Sequence, residues 1–278
     1  MELPVDAANR QTLPLPKIEI MAIPDIPMIQ PGDDLPAIIF ERAQAADLAF
    51  EDHDVVVVTQ KVVSKAEGRS VRLSQVEPSP EALEVAALAR KDARFVEVVL
   101  RESRGVMAMR PDLLVVENRL GIICANAGID RSNIEQGDDV TLMLLPQDPD
   151  ASARAIQEGL QSLSGKQLAV LIIDTLGRPF REGVMGMAIG VAGMDPLIDM
   201  RGQTDIFGYV MERTIINRAD EIAAAASMLM GQTTAQLPVV VVRGANYWPG
   251  AGSSRGILRE PWKDMFRPKE YLRLGKAK

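Results

Sequence analysis

VVVVTQKVVSKAEGR, residues 55–69, joins an unbroken β-branched run to two lysines four positions apart and a Glu67-Gly68 turn. The four valines and Thr59 read as a buried strand. Lys61 and Lys65 follow just past its end, where a lysine ammonium meets phosphate as a compact point charge. Solvated turn residues are the plainer reading of the same pair. LAVLIIDT, residues 168–175, is a second continuous apolar strand, of the kind covered on both faces, and it ends in Asp174 and Thr175. An acid and a hydroxyl at a strand's exit offer the hard oxygen ligands that Mg²⁺ takes, and a carboxylate there is otherwise costly to bury unpaired.

The chain of 278 residues, 47% apolar and 25% charged, can bury a large core as one domain or as two packed ones. A net charge of −7 argues against a nucleic-acid footprint, which needs massed Lys and Arg. Any bound anion must therefore be met by a local cluster. The single Cys124 excludes an intramolecular disulfide and a multi-cysteine metal site, and it is expected to be a buried small apolar residue. With no basic-plus-apolar leader and no run long enough to span a bilayer, a cytoplasmic protein without membrane insertion is expected. The sole histidine, His53, is expected to face solvent in a turn, and its isolation excludes His-based zinc chemistry and a Ser-His-Asp triad.

Residues 1–16 read as an extended arm before a first strand near 18–23. A helix follows from Asp33, and residues 79–104 are helical with a break near 91–94. LLVVEN and GIICAN are strands, and CANAGID turns tightly into Asp130, Ser132 and Asn133, as an oxygen-rich site or a plain Asx turn. Asp148-Pro149 opens a helix to about Leu163. The segment GRPFREGVMGMAIGVAG sets Arg178 and Arg181 beside Asp174 and spaces Gly183, Gly186, Gly190 and Gly193 through a strand, for close packing or ligand approach. A helix over 218–230 ends at Gly231-Gln232-Thr233-Thr234, PVVVVRG is the last clear strand, and Trp248 and Trp262 are expected to anchor the tail. The P-loop spacing fails, with five residues between Gly159 and Gly165 and Gln167 in the hydroxyl position, and no G-x-G-x-x-G follows a strand.

Five blocks in order, TQKVVSKAEGR at 59–69, CANAGIDRSN at 124–133, DTLGRPFREGVMGMAIGVAG at 174–193, ADEIAAAASMLMGQ at 219–232 and VVVVRG at 239–244, resemble the coenzyme F420-0:L-glutamate ligase family. The resemblance covers roughly residues 18–267. It implies an α+β fold of two intertwined α/β halves with mixed sheets, neither P-loop nor Rossmann, making one ligase domain over 17–278 with two intertwined subdomains. It also implies a homodimeric, GTP-dependent ligase that joins L-glutamate to the lactyl carboxylate of F420-0 and then adds a gamma-linked glutamate. Two divalent ions per subunit, Mg²⁺ or Mn²⁺, and K⁺ are implied as cofactors.

Carried onto matching positions, the resemblance gives Asp130 and Asp174 to one divalent metal and Thr175 and Gln232 to the second, with Gln232 standing where some relatives have Glu. It gives GTP to Gln60, Lys61, Lys65, Asn133, the segment Ile26, Pro27, Met28 and Ile29, and the loop Met230, Gly231, Gln232, Thr233, Thr234, Ala235, Gln236 and Leu237. Gln60 and Lys61 replace hydroxyl residues of some archaeal members. Forming an amide requires an activated carboxylate, and phosphorylation by GTP supplies an acyl phosphate, so neutralising crowded anions matters more than a nucleophilic side chain. No catalytic residue or general base is assigned. Arg178 and Arg181 are candidates for substrate carboxylate or phosphate, or for structural salt bridges. Two rival readings are a ligase of the same fold for another acceptor, such as a folate-like pterin, and a non-catalytic nucleotide-binding protein. The Asp130, Asp174, Thr175 and Lys65 set weighs against the second.

Overall fold

In the computed structural model, which describes residues 16–132, 139–268 and 272–273, the elements run β1 (Glu19–Ala22), α1 (Leu35–Ala45), β2 (Val55–Thr59), α2 (Gln60–Ala66), β3 (Ser70–Arg72), α3 (Pro80–Ala89), α4 (Ala93–Arg101), β4 (Ser103–Arg110), β5 (Leu113–Asn118), β6 (Ile123–Ala125), β7 (Thr141–Met143), α5 (Pro149–Ser164), β8 (Ala169–Arg178), β9 (Arg181–Ala192), β10 (Leu197–Asp199), β11 (Ile215–Asn217), α6 (Arg218–Met230), β12 (Val239–Arg243) and β13 (Leu272–Arg273). The arm expected over 1–16 lies outside the described residues except for Pro16.

The valine run is central to the main sheet, whose order is β1-β12-β2-β8-β9. Strand β2 pairs parallel with β8 and antiparallel with β12, and the other neighbours in this sheet are antiparallel. A mixed sheet of this kind, mainly antiparallel and accompanied by separate smaller antiparallel sheets, is an α+β arrangement. Because side chains alternate across a strand, Val56, Val58, Val170 and Ile172 enter one core with Ile39 of α1 and Ile156 and Leu160 of α5. Val55, Val57, Leu171 and Ile173 enter the opposite core with Ile222, Ala223 and Ala226 of α6. Two covered faces explain why neither strand alternates in polarity. Each such side chain contributes about 1.5–3 kcal/mol on burial.

The glycines of β9 serve close packing. A Cβ on Gly186 would stand 2.7 Å from the Ala223 carbonyl oxygen of α6, and one on Gly190 would stand 2.4 Å from the Pro149 carbonyl oxygen of α5. Both helices thus ride almost on the strand backbone.

Between α2 and α5 the chain builds a third core from Val96, Val99, Leu114, Val116 and Leu142, with α3 and α4 against the sheet β13-β4-β5-β6. The break expected near 91–94 is present: Arg90 ends α3 in the left-handed region (φ 51°), and Asp92 caps α4 by accepting from the Arg94 N–H. Asp148 caps α5 as read, accepting from the Ala151 N–H.

The tail departs from its reading. Trp248 and Trp262 are 42% and 78% exposed, so neither is an anchor, and Trp262 instead has the Lys263 ammonium 4.5 Å over its ring. Tyr247 is the buried aromatic of this stretch, edge-on to the exposed His53. PVVVVRG is also not the last strand, since β13 follows and pairs with β4. Cys124 is buried. No helix among the described residues is long and apolar enough to cross a membrane.

Candidate active site

Strands β2 and β8 run parallel, and their pairing stops where β2 ends, with Thr59 opposite Ile173, while β8 continues to Arg178. The carboxyl end of β2 and the adjoining residues Ile173, Asp174 and Thr175 of β8 open into a cavity of about 610 Å³. Strand ends of this polarity are the usual place for a ligand in an α/β sheet, because the loops that follow diverge and leave a crevice.

At the β2 exit the lysines stand on a helix, where a turn was the plainer expectation. Gln60 starts α2 directly after the extended Thr59, so Lys61 and Lys65 fall one turn apart on the cavity side. The Gln60 side chain is buried and accepts from the Ser64 hydroxyl at 3.0 Å, so its amide oxygen is already engaged. Lys61 donates to Ser132 Oγ at 2.7 Å and pairs with Asp130 Oδ2 at 2.7 Å. Lys65 has no ion pair or ammonium hydrogen bond among the described residues. Burial, and then the Lys61 charge beside it, pull Lys65 below the usual lysine value.

Asp130 is set by a backbone bridge to Met143, with both N–H···O bonds made, at 3.0 and 2.9 Å. Its carboxylate also closes an Asx turn on the Ser132 N–H at 2.7 Å, so the turn and the oxygen-rich site coexist. Burial pushes the Asp130 carboxyl up, but the Lys61 ammonium and the Ser132 donors outweigh it and hold the group below its ordinary value. Asp174 goes the other way. Burial pushes its carboxyl up to about 7; the Thr175 N–H lowers it, Asp130 raises it further and Lys61 lowers it. Among the described residues its hydrogen-bond partner is that N–H, at 2.8 Å. Thr175 in turn donates to Gln232 Oε1 at 3.4 Å, across from the end of α6, where Gly231 (φ 66°) redirects the chain.

The cavity is lined by Ile26, Pro27, Met28 and Ile29, by Gln60, Lys61 and Lys65, and by Asp130, Asp174 and Thr175. Met230, Gly231, Gln232, Thr233, Thr234, Gln236 and Leu237 complete the opposite wall, while Ala235 does not line it. Asn133 lies outside the described residues. Ser227 is a lining residue that sequence reading missed. Its signal was faint, a lone hydroxyl in the small-residue run of α6.

Arg178 and Arg181 are not beside Asp174. They pair with each other at the tip of the β8–β9 hairpin, whereas Asp174 pairs with Met187. At about 3.3 Å per residue, four positions carry Arg178 about 13 Å past the acid. Arg178 donates instead to the Gly183 carbonyl at 3.2 Å.

The donor set suits a divalent cation. Asp130, Asp174, Thr175 and Gln232 present oxygen only, and among the described residues no group of three His, Cys, Asp or Glu forms a closed all-protein cage. Mg²⁺ and Mn²⁺ accept such open oxygen sets and fill them with water and phosphate. The half-buried carboxyl of Asp174, desolvated and beside a second carboxylate, has a charge that a cation would relieve.

Two carboxylates, a lysine without an ion pair among the described residues and a cavity of this volume define a site for a small anionic ligand and a hard cation. The chain belongs to the F420-0:Gamma-glutamyl ligase family, whose model matches residues 24–244. It is 42% identical over 253 residues to coenzyme F420:L-glutamate ligase of Methanothermobacter thermautotrophicus, covering 91% of this chain and 97% of that protein. It is 42% identical over 257 residues to the protein of the same name from Methanopyrus kandleri, covering 91% and 99%. The Archaeoglobus fulgidus protein of that name is 44% identical over 251 residues, covering 90% and 97%.

Proposed function

We propose that this protein is a cytoplasmic, GTP-dependent ligase that joins L-glutamate to the lactyl carboxylate of F420-0 and extends the product by a gamma-linked glutamate. Family membership supports the ligase class and the acceptor, as the name its relatives carry indicates. The observation that carries the nucleotide part is the meeting of Lys65, Asp130 and Asp174 in one cavity between the Ile26–Ile29 and Met230–Leu237 walls.

The chemistry follows from charge. An acceptor carboxylate oxygen attacks the γ-phosphorus, the bond to GDP breaks, and an acyl phosphate forms. The glutamate amine then attacks the acyl carbon, loses a proton, and phosphate leaves with the former carboxylate oxygen. Both steps crowd anions together, so the protein's part is neutralisation and alignment. Lys65 sets its ammonium against the phosphates. Asp130, Asp174, Thr175 and Gln232 would hold Mg²⁺ or Mn²⁺, with K⁺ as a further cation, and a bound divalent ion supplies charge stabilisation at phosphoryl oxygens. The walls flanking the cavity enclose the nucleotide and exclude water from the acyl phosphate.

A homodimer belongs to the same reading. Ile206 and Phe207, 91% and 90% exposed at the end of a short hairpin closed by the Thr204–Val210 bridge, are large apolar side chains that a second copy would cover. The deciding experiment incubates the protein with F420-0, glutamate, GTP and Mn²⁺ and follows GDP release and product mass. Successive glutamyl additions are expected. Extension of a folate-like acceptor but not F420-0 overturns the acceptor, and no turnover of GTP overturns the ligase reading.

A further inference from the structure

The two lysines of α2 enter one cavity in different states. Lys65 is uncommitted among the described residues, whereas the Lys61 ammonium is held by Asp130 Oδ2 and Ser132 Oγ, both at 2.7 Å. Asp130 is well engaged in return, above all at Oδ2: its Oδ1 accepts from the Ser132 N–H at 2.7 Å, and its Oδ2 accepts from the Ser132 hydroxyl at 3.2 Å besides the ammonium. This carboxylate already carries a cation, tethered by a flexible four-carbon stem to a helix whose Val62 and Val63 are buried. A divalent ion and an ammonium compete for Oδ2, because like charges at contact distance repel away from bulk water and the oxygen's other acceptor site is taken by the Ser132 hydroxyl.

We propose that Lys61 is an internal counter-ion exchanged for the divalent cation: it occupies Asp130 in the resting site, must leave before the metal binds there, and on leaving pairs with the nucleotide phosphates in the same cavity. This rests on the assignment of Asp130 and Asp174 to the metal made above. The exchange conserves local neutrality, since the arriving cation replaces the ammonium on Asp130 while an arriving phosphate replaces Asp130 on the ammonium. Metal and nucleotide then favour each other's binding, because each removes the partner that blocks the other. The backbone of α2 stays fixed and only the lysine stem moves. Gln60, tied to Ser64, takes no part.

The test titrates Mn²⁺ by electron paramagnetic resonance into the whole protein, as wild type, Lys61→Met, Lys61→Gln and Asp174→Asn, without nucleotide and then with GDP after correction for Mn²⁺–GDP in solution. Circular dichroism confirms that each variant is folded. Without nucleotide, both Lys61 variants should bind Mn²⁺ about 1.5- to fivefold tighter than wild type, as expected for removing a competing, partly exposed ion pair. GDP should improve Mn²⁺ affinity more in wild type than in either variant. Equal or weaker Mn²⁺ binding in both Lys61 variants, with binding still reduced by Asp174→Asn, overturns the exchange and leaves the metal assignment standing. Absence of Mn²⁺ binding from every form, with or without GDP, removes the metal assignment and the exchange with it.

Discussion

Asp174→Asn is expected to make the metal-free protein more stable while abolishing its activity. The carboxyl holds its proton up to about pH 7 in the folded chain, because burial and then the charge of Asp130 work against ionisation, against an ordinary value of 3.8. The folded state therefore binds more protons than the unfolded state between those two values. Stability from this group is fully present below pH 3.8 and is lost as pH rises through 7. Moving a carboxyl across that interval corresponds to about 4 kcal/mol, and cavity water that reaches the group reduces the realised cost to about 2–4 kcal/mol. Asparagine keeps the shape and still accepts from the Thr175 N–H, but carries no charge. In EDTA at pH 8, the variant should gain about 2–4 kcal/mol in urea unfolding, or roughly 4–10 °C in Tm. At pH 4 the two proteins should be nearly equal. Mn²⁺ should stabilise wild type and leave the variant unchanged. A variant no more stable than wild type at pH 8 would refute the burial argument, and retained ligation would refute the metal assignment.

Lys65→Ala should weaken nucleotide binding by about 1.5–3 kcal/mol, measured by calorimetry, since it removes a charge-assisted bond to phosphate; unchanged affinity excludes that contact. Cys124 is buried and its thiol is pushed up to about 12 by burial, with Asp174 adding to the effect. The native protein should therefore resist Ellman's reagent at pH 8 and yield one thiol per chain on unfolding. Gly190→Ala drives a Cβ to 2.4 Å from the Pro149 carbonyl and should cost about 1–3 kcal/mol in chemical denaturation. Asp54 is buried and gripped by Arg243 through two bonds at 2.8 and 2.7 Å, so Asp54→Ala should cost about 3–5 kcal/mol, with much less lost when Arg243→Met accompanies it.

Features written in local sequence were legible. The polarity of residues 55–58 and 168–173 announces two covered faces, and Pro80 and the Asp148-Pro149 pair mark helix starts because capping is chemistry between near neighbours. The cavity's composition was legible through the resemblance of whole blocks. Register and long-range partnership were not. Nothing near Arg178 says that its strand continues past the acid to a hairpin tip, and nothing near Lys61 says that Asp130 will meet it. Trp248 and Trp262 misled because aromatic size predicts the area available for burial, whereas the turns of the tail lie over the surface. The high proton affinity of Asp174 is likewise a property of the packed surroundings, since its neighbours in sequence only describe a strand end.

Gly186 pairs across the sheet with Thr175, and its bare Cα admits Ser227 and the Ala223 carbonyl of α6 to within 3 Å of where a methyl would sit. The terminus of that same helix delivers Gln232 to Thr175. A single hydrogen atom in place of a side chain thus acts as the spacer that fixes how far apart the two walls of the groove stand. A bulkier residue there would lever the helix outward and part Gln232 from Thr175 without altering either of them.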